Sequence, residues 1–405
     1  MRLLVAPHDM EIGGSQRNAI DLAAGAAKAG HDVIVYSRPG PLVDYVEELG
    51  LEFVAARPLK YRPAPSRIVQ LRDLARQRRL DLIHAYEWPP CLDAYFGAHL
   101  GDCVPLLCTV LSMSVPPFLP PSVPLVMGTE ALGREARAVH RGPVWVLEPP
   151  IDTEADSPEI DGSALRAWFG LGQGPLVVTV SRLSLELKID ALREAIDAAD
   201  RLADRFPLQL LIVGDGPAAP MLKERAAAVD RRHGRPVVVF SGAIADPREA
   251  YAAADLVVGM GSSSLRAMAM GKPVVVQGER GFVKPFEAET LPYFLDQGLW
   301  GIGDGGSRAD ELADHLVDLL TDRERLDEVA AFGMETVRSR FSLNRAVDFQ
   351  LGIYEELIAA RRRGPRREAP VVAARALRLE LENHDPRRKR ARREADAARL
   401  AAVAA

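Results

Sequence analysis

The chain has three cysteines among 405 residues, Cys91, Cys103 and Cys108, and none of their spacings suits a metal ligand set. An odd count supports no disulfide framework, so a reducing, cytoplasmic compartment is expected. A second scarcity is local: from Cys103 to Thr129 no residue is charged. The stretch is long enough to span a bilayer, yet Pro105, Pro116, Pro117, Pro120, Pro121 and Pro124 fall inside it. A span so rich in proline cannot satisfy its backbone as a helix, which leaves strand, proline-rich loop, strand. The N-terminus, MRLLVAPHDMEIGG, has a short apolar core and no cleavage pattern, and reads as strand and loop, not as a signal peptide.

What is present is globular: 48% hydrophobic and 26% charged residues, in a chain too long for one ordinary core. The net charge of −5 is uneven. Residues 361–405 hold 14 Arg and Lys against 6 Asp and Glu, a net +8, so residues 1–360 carry −13. An acidic body argues against nucleic acid as a partner.

The segment Pro175–Asp190, PLVVTVSRLSLELKID, organises the rest. An apolar strand (176–180) feeds a polar turn and then an amphipathic helix (188–205), the opening unit of a parallel sheet covered on both faces. Ligands in such sheets sit at the carboxyl ends of the strands. Arg182 and Lys188 fall there, beside a helix N-terminus whose free N–H groups favour anions. The next strand ends in Gly214-Asp215-Gly216-Pro217, a tight turn at the same edge. Together these form a candidate diphosphate cradle, the alternative being surface charges paired with Glu186 and Glu194.

Strand and helix patterns alternate over residues 1–148, starting with strand 2–6, a loop ending in Gly13-Gly14, and a helix capped by Ser15. An acidic, proline-containing stretch without periodicity, 149–162, is expected to be a linker. The alternation then restarts and runs through 163–342, with the helix 262–270 following Gly259-Met260-Gly261. A closing helix is expected over 343–360. Beyond it lies an Ala/Arg-rich tail, 361–405, containing RRKRARR at 387–393. A solvated, mobile or partly helical tail is expected, with a surface for anionic lipid or an acidic partner as the alternative.

The order of motifs resembles glycosyltransferase family 4. GGSQRNAIDLAAGAAKAGHDVIVYS is similar to that family's glycine loop and first helix, and DLIHAYEW to its fourth strand and following turn. VTVSRLSLELKID resembles its Arg-x5-Lys segment, IVGDGPAAPML its Gly-x-Gly-Pro turn, and ADLVVGMGSSSLRAMAMGKPVVV its donor-binding strand, loop and helix. The resemblance covers roughly residues 1–360. It implies an α/β GT-B fold, two Rossmann-like doubly wound domains facing a cleft. It also implies retaining, metal-independent transfer of a sugar from a nucleotide-sugar to a small-molecule or lipid acceptor, with no cofactor. Arg182 and Lys188 would then neutralise the diphosphate leaving group, with Gly13, Gly14, Gly214, Gly216, Gly261, Ser262 and Arg266 around the donor.

Departures from the family pattern are as informative as the matches. Its Glu-Ala-Met-Ala helix reads Arg266-Ala267-Met268-Ala269 here, the earlier acidic position falls on Val258, and the N-domain His aligns with Leu111. An arginine at 266 would face an extra anion on the donor or pair with Glu279 or Asp255. On the acceptor side His8, His84, Tyr86 and Glu87 are candidates, with His8 and Asp9 placed to supply the missing polar group. Phe118 and Leu119 read as an apolar lip or a buried crossover. A non-catalytic GT-B-like protein binding a nucleotide or a partner enzyme is the rival reading, and a sugar-nucleotide epimerase a weaker one.

Overall fold

Alternation within strands decides the first sheet. In β1 (Arg2–Ala6), Leu3 and Val5 join one apolar cluster, Leu4 and Ala6 another, and all four are buried. A strand buried on both faces belongs inside a parallel sheet flanked by helices. The computed structural model describes residues 1–59, 62–112, 114–360, 366–385 and 388, and these divide into two units, Met1–Pro150 with the described residues from Leu343 onward, and Ile151–Ser342.

In the first unit β1 is followed by α1 (Gly14–Lys28), β2 (Asp32–Ser37), α2 (Val43–Glu48), β3 (Glu52–Ala55), α3 (Pro65–Gln77) and β4 (Leu82–Tyr86). Next come α4 (Trp88–Ala94), α5 (Leu100–Asp102), β5 (Leu106–Val110), β6 (Leu125–Met127), α6 (Glu130–Val139) and β7 (Val144–Val146). The seven strands pair in the order β3-β2-β1-β4-β5-β6-β7, all parallel. Between β4 and β5 the helical segment is not continuous: α4 and α5 are joined by a π-helical turn, Tyr95–His99. Residues 111–112 and 114–124 belong to the proline-rich crossover: Leu119 is buried, and the half-buried Phe118 packs edge-to-face on Trp88, with ring centres 4.7 Å apart.

The second unit contains α7 (Ser163–Trp168), β8 (Leu176–Val180), α8 (Ile189–Leu202), β9 (Gln209–Val213), α9 (Ala219–His233), β10 (Val238–Gly242) and α10 (Arg248–Ala253). It continues with β11 (Leu256–Gly259), α11 (Ser262–Ala269), β12 (Val274–Gln277), β13 (Val283–Pro285), α12 (Leu291–Gln297), α13 (Ala309–Thr321) and α14 (Arg323–Arg340). Its sheet runs β10-β9-β8-β11-β12-β13, with β13 alone antiparallel. The short elements α7, β13 and α12 were not legible as patterns. In each sheet the strand order reverses beside the first strand, between β1 and β4 and between β8 and β11. Those are the switch points where crossovers leave to opposite sides and a crevice opens.

Three boundaries differ from the sequence expectation. The stretch expected as a linker is seated on the second unit from Ile151 onward: Ile151 is buried and its N–H donates to Phe341 O, and Asp156 is buried. The closing helix, α15 (Leu343–Ala360), belongs to the first unit, where Val347 packs against α1. A Cβ at Gly25 would stand 2.2 Å from Val347 Cγ2, so glycine there admits the helix. The described tail is helical, as one of the expectations had it, but one side of it is packed on the first unit and not solvated. It forms α16 (Ala369–His384), with Val372 and Ala376 in the first unit's core and the buried Glu368 carboxylate accepting hydrogen bonds from Arg141 and Ser122. The cluster RRKRARR lies, apart from Arg388, outside the described residues.

Candidate active site

The second unit's edge is built from loops that lock onto each other. Leu183 N–H donates to Asp215 O (3.0 Å) and Ala218 N–H to Leu183 O (2.9 Å), which ties the segment after β8 to the turn after β9. Close approach requires the two glycines. A Cβ at Gly214 would lie 1.9 Å from Ser181 O and one at Gly216 2.4 Å from Leu183 O, and both residues have positive φ. Between the ends of β8, β11 and β12 opens a small pocket lined by Thr179, Ser181, Lys188, Met260, Ser263 and Gln277 among others. Gly261 (φ +63°) turns the chain into α11, and Ser262 is that helix's first residue.

Lys188 is the one cation lining this pocket. It precedes α8, and burial pushes its ammonium down to about 8, with no carboxylate beside it to offset the loss of water. Gln277 is buried at the end of β12, its side-chain amide nitrogen without a hydrogen-bond partner, and the same holds for the Ser264 hydroxyl in α11. Arg182 is exposed and does not line the pocket, and among the described residues neither it nor Lys188 forms an ion pair. Pairing with Glu194 is excluded by its orientation. The Glu194 carboxylate accepts the Arg308 N–H at 3.2 Å, ahead of α13, and burial raises it to about 7.

Arg266 points elsewhere. Its guanidinium lies 3.7 Å from Asp156, a carboxylate that burial raises to about 6 even though the arginine and Arg248 pull it down. Neither expected partner is the one found: Asp255 pairs with Arg166 at 2.7 Å and accepts the Leu176 N–H. Arg266 therefore fastens the 151–162 segment to α11.

In the first unit the polar residues at the edge are mostly satisfied by the chain itself. His84 is fully enclosed, with Nδ1 2.7 Å from the Tyr354 hydroxyl and Nε2 2.7 Å from Thr109 Oγ1, and burial depresses it to about 3. Tyr86 is buried and donates to Gln350 at 3.1 Å. Both residues therefore pin α15 to the sheet and are withdrawn from the acceptor side. Glu87, at φ +73°, accepts the N–H groups of Leu111 (2.8 Å) and Ser112 (2.9 Å) and so shapes the start of the proline-rich crossover. His8 differs. It follows β1 with Nε2 3.0 Å from the Gln16 amide nitrogen, which donates to Asp9 at 2.6 Å, and its Nδ1 is buried without a partner. Gly13 precedes α1 in an extended conformation, and Gly14 opens the helix with free space where a Cβ would be.

The comparisons follow the same division. Residues 12–139 match the family model described as Glycosyltransferase Family 4, and residues 174–322 the one described as Glycosyl transferases group 1. This chain belongs to the GT-B glycosyltransferases of the family 4 type. Among solved structures it is similar to a glycosyltransferase from Rickettsia africae ESF-5, with a TM-score of 0.72 and 16% identity over 88% of this chain and 98% of that one. It is also similar to Anabaena HepE in complex with UDP and glucose, with a TM-score of 0.69 and 18% identity over 87% and 99% of the two chains. These likenesses establish the fold. Among curated relatives, the GDP-mannose-dependent alpha-(1-6)-phosphatidylinositol monomannoside mannosyltransferase of Mycobacterium tuberculosis is 30% identical over 222 residues, 49% of this chain and 53% of that protein. The alpha-monoglucosyldiacylglycerol synthase of Streptococcus pneumoniae is 32% identical over 123 residues, 28% of this chain and 27% of that protein. The chain thus matches about half of the mannosyltransferase's length and less of the synthase's.

Sequence reasoning missed Gln277, Ser263 and Thr179. The available signal was a polar residue closing an all-valine strand, Val274-Val275-Val276-Gln277, at a carboxyl end.

Proposed function

We propose that this chain transfers a sugar from a nucleoside-diphosphate sugar to an acceptor hydroxyl, with retention and without a metal or other cofactor. The observation that supports it is Lys188: an ammonium half-buried in a pocket at the β8/β11 switch point, with no anion of its own. Holding a cation there costs stability unless a ligand brings negative charge. As the bond from the anomeric carbon to the diphosphate breaks, charge grows on the leaving oxygen. A preplaced cation and the α11 N-terminus stabilise that charge more than the bound ground state. Arg182, exposed beside the same loop, supplies a second, weaker contact. The new bond forms to the acceptor oxygen, whose proton leaves with the phosphate.

We assign the acceptor to the first unit's edge at His8 and Asp9, and a lipid acceptor is favoured by the relatives that act on phosphatidylinositol monomannoside and make glucosyldiacylglycerol. Calorimetry with UDP, GDP and ADP on wild type and Lys188→Ala tests the donor side, and equal affinities would remove the assignment. A second reading, nucleotide binding without turnover, is favoured by Arg266, whose engagement with Asp156 leaves no carboxylate where the family places one. Release of sugar from UDP- or GDP-sugars separates the two.

A further inference from the structure

Among the described residues ten large hydrophobic side chains remain exposed, and three of them stand on α16 alone: Val371 (52%), Leu377 (50%) and Leu381 (66%). That concentration is not chance scatter along a surface. The helix has two apolar sides. Val372 and Ala376 face the first unit's core, while Val371, Ala374, Leu377 and Leu381 recur at helical spacing on the outer side. Arg375 and Arg378 border this outer stripe, both exposed, and Arg378 is 82% so. In the sequence six cations follow between positions 387 and 393. The acid on this side, Glu382, bridges Arg378 (2.9 Å) and Arg388 (2.8 Å) and adds no free negative charge. The mount is firm: the buried Glu368 carboxylate is held by Arg141 at 2.6 Å, and Arg375 donates to Pro117 O at 3.2 Å.

From this arrangement we infer that α16 lies in the plane of an anionic lipid surface, with its leucine stripe among the acyl chains and its arginines at the headgroups. An apolar stripe bordered by long cationic side chains is the pattern of an interfacial helix, because the methylene stems bury while the guanidinium stays wet. The basic run adds attraction to anionic headgroups and none to neutral ones. No helix among the described residues is long and apolar enough to cross a bilayer, so this contact lies on the membrane and does not span it. The inference is independent of the donor chemistry, since lipid binding is read without nucleotide.

The test is flotation of the full-length chain with phosphatidylcholine–phosphatidylglycerol vesicles, with phosphatidylcholine alone as the control. Wild type should float with the anionic vesicles only. Leu377→Gln/Leu381→Gln should lower partitioning by about tenfold or more, and Arg375→Gln/Arg378→Gln by roughly severalfold in a salt-dependent way. Leu377 and Leu381 are exposed and take no part in that mount, so the melting temperature of the leucine variant should match wild type. Should the leucine variant fail to fold, Leu381→Trp replaces it, and its emission should shift to the blue with anionic vesicles. Wild type remaining unbound, undiminished flotation of the leucine variant, or an unshifted tryptophan would each overturn the inference. A vesicle-free dimer that the leucine variant abolishes would also overturn it, assigning the stripe to a second copy of the chain.

Discussion

The carboxyl edges of the two sheets occupy equivalent places in the two units, yet they treat polar groups in opposite ways. At the first unit's edge His84, Tyr86 and Glu87 are paired with Tyr354, Thr109, Gln350, Leu111 and Ser112 of the same unit. In the second, Lys188 and Gln277 line a pocket without partners, and Ser264 is buried nearby in sequence with its hydroxyl unpaired. A buried polar group with its partner inside the chain is architecture, whereas one left without is held ready for something that arrives. In the first unit the glycine-loop group around His8, whose Nδ1 is buried without a partner, shares the second unit's character.

The sharpest break of this contrast is Arg266→Glu, which sets two carboxylates against each other. It should destabilise the second unit by about 3–5 kcal/mol, the cost of breaking a buried pair. Asp156 has a folded value raised to about 6, so the stability of its neutral form is present below its ordinary range and lost as pH rises through 6. The melting-temperature penalty of Arg266→Glu should therefore be larger at pH 8 than at pH 5. Lys188→Ala should weaken UDP or GDP binding by about 1.5–3 kcal/mol in calorimetry. Wild-type affinity should fall as pH rises past about 8, where the free ammonium loses its proton, and the variant should lose that dependence.

On the first unit's side, Tyr354→Phe strands His84 Nδ1 and should cost about 1–3 kcal/mol of stability by denaturant titration, with donor affinity unchanged. A drop in nucleotide affinity there would erase the contrast. Gln277→Met should weaken diphosphate binding by about 0.5–1.5 kcal/mol while leaving the ligand-free protein as stable or slightly more so, because an unpaired buried amide is removed. Smallest of all, Arg182→Ala should cost less than about 1 kcal/mol of binding, since an exposed cation is screened by water.

Much of the fold could be read from the chain because hydrophobic period and turn residues are local properties. The strand Leu176–Val180, the turn Gly214–Gly216 and the start of α11 at Ser262 all fall where the sequence places them. The site was read less completely. His84, Tyr86 and Glu87 stand at a strand end as a ligand contact would in sequence terms, and the partners of His84 and Tyr86, Tyr354 and Gln350, lie more than two hundred residues away. Arg266 was placed on the right helix, but Asp156, which determines where its guanidinium points, lies in a stretch with no periodicity at all. The tail misled for a further reason. Its composition is that of a solvated segment, and Val372, Ala376 and Glu368 are too few to outweigh that average.

The sequence by itself determined two α/β units, their element order, the glycines that let loops meet, and a lysine at a strand's carboxyl end. Each follows from neighbours in the chain, through period, backbone freedom and charge. Only the tertiary structure decided which of the polar residues at those strand ends are satisfied. Pairing depends on groups distant in sequence, so Lys188 stands alone, His84 is enclosed, Arg266 clasps Asp156 and α16 turns its leucines outward.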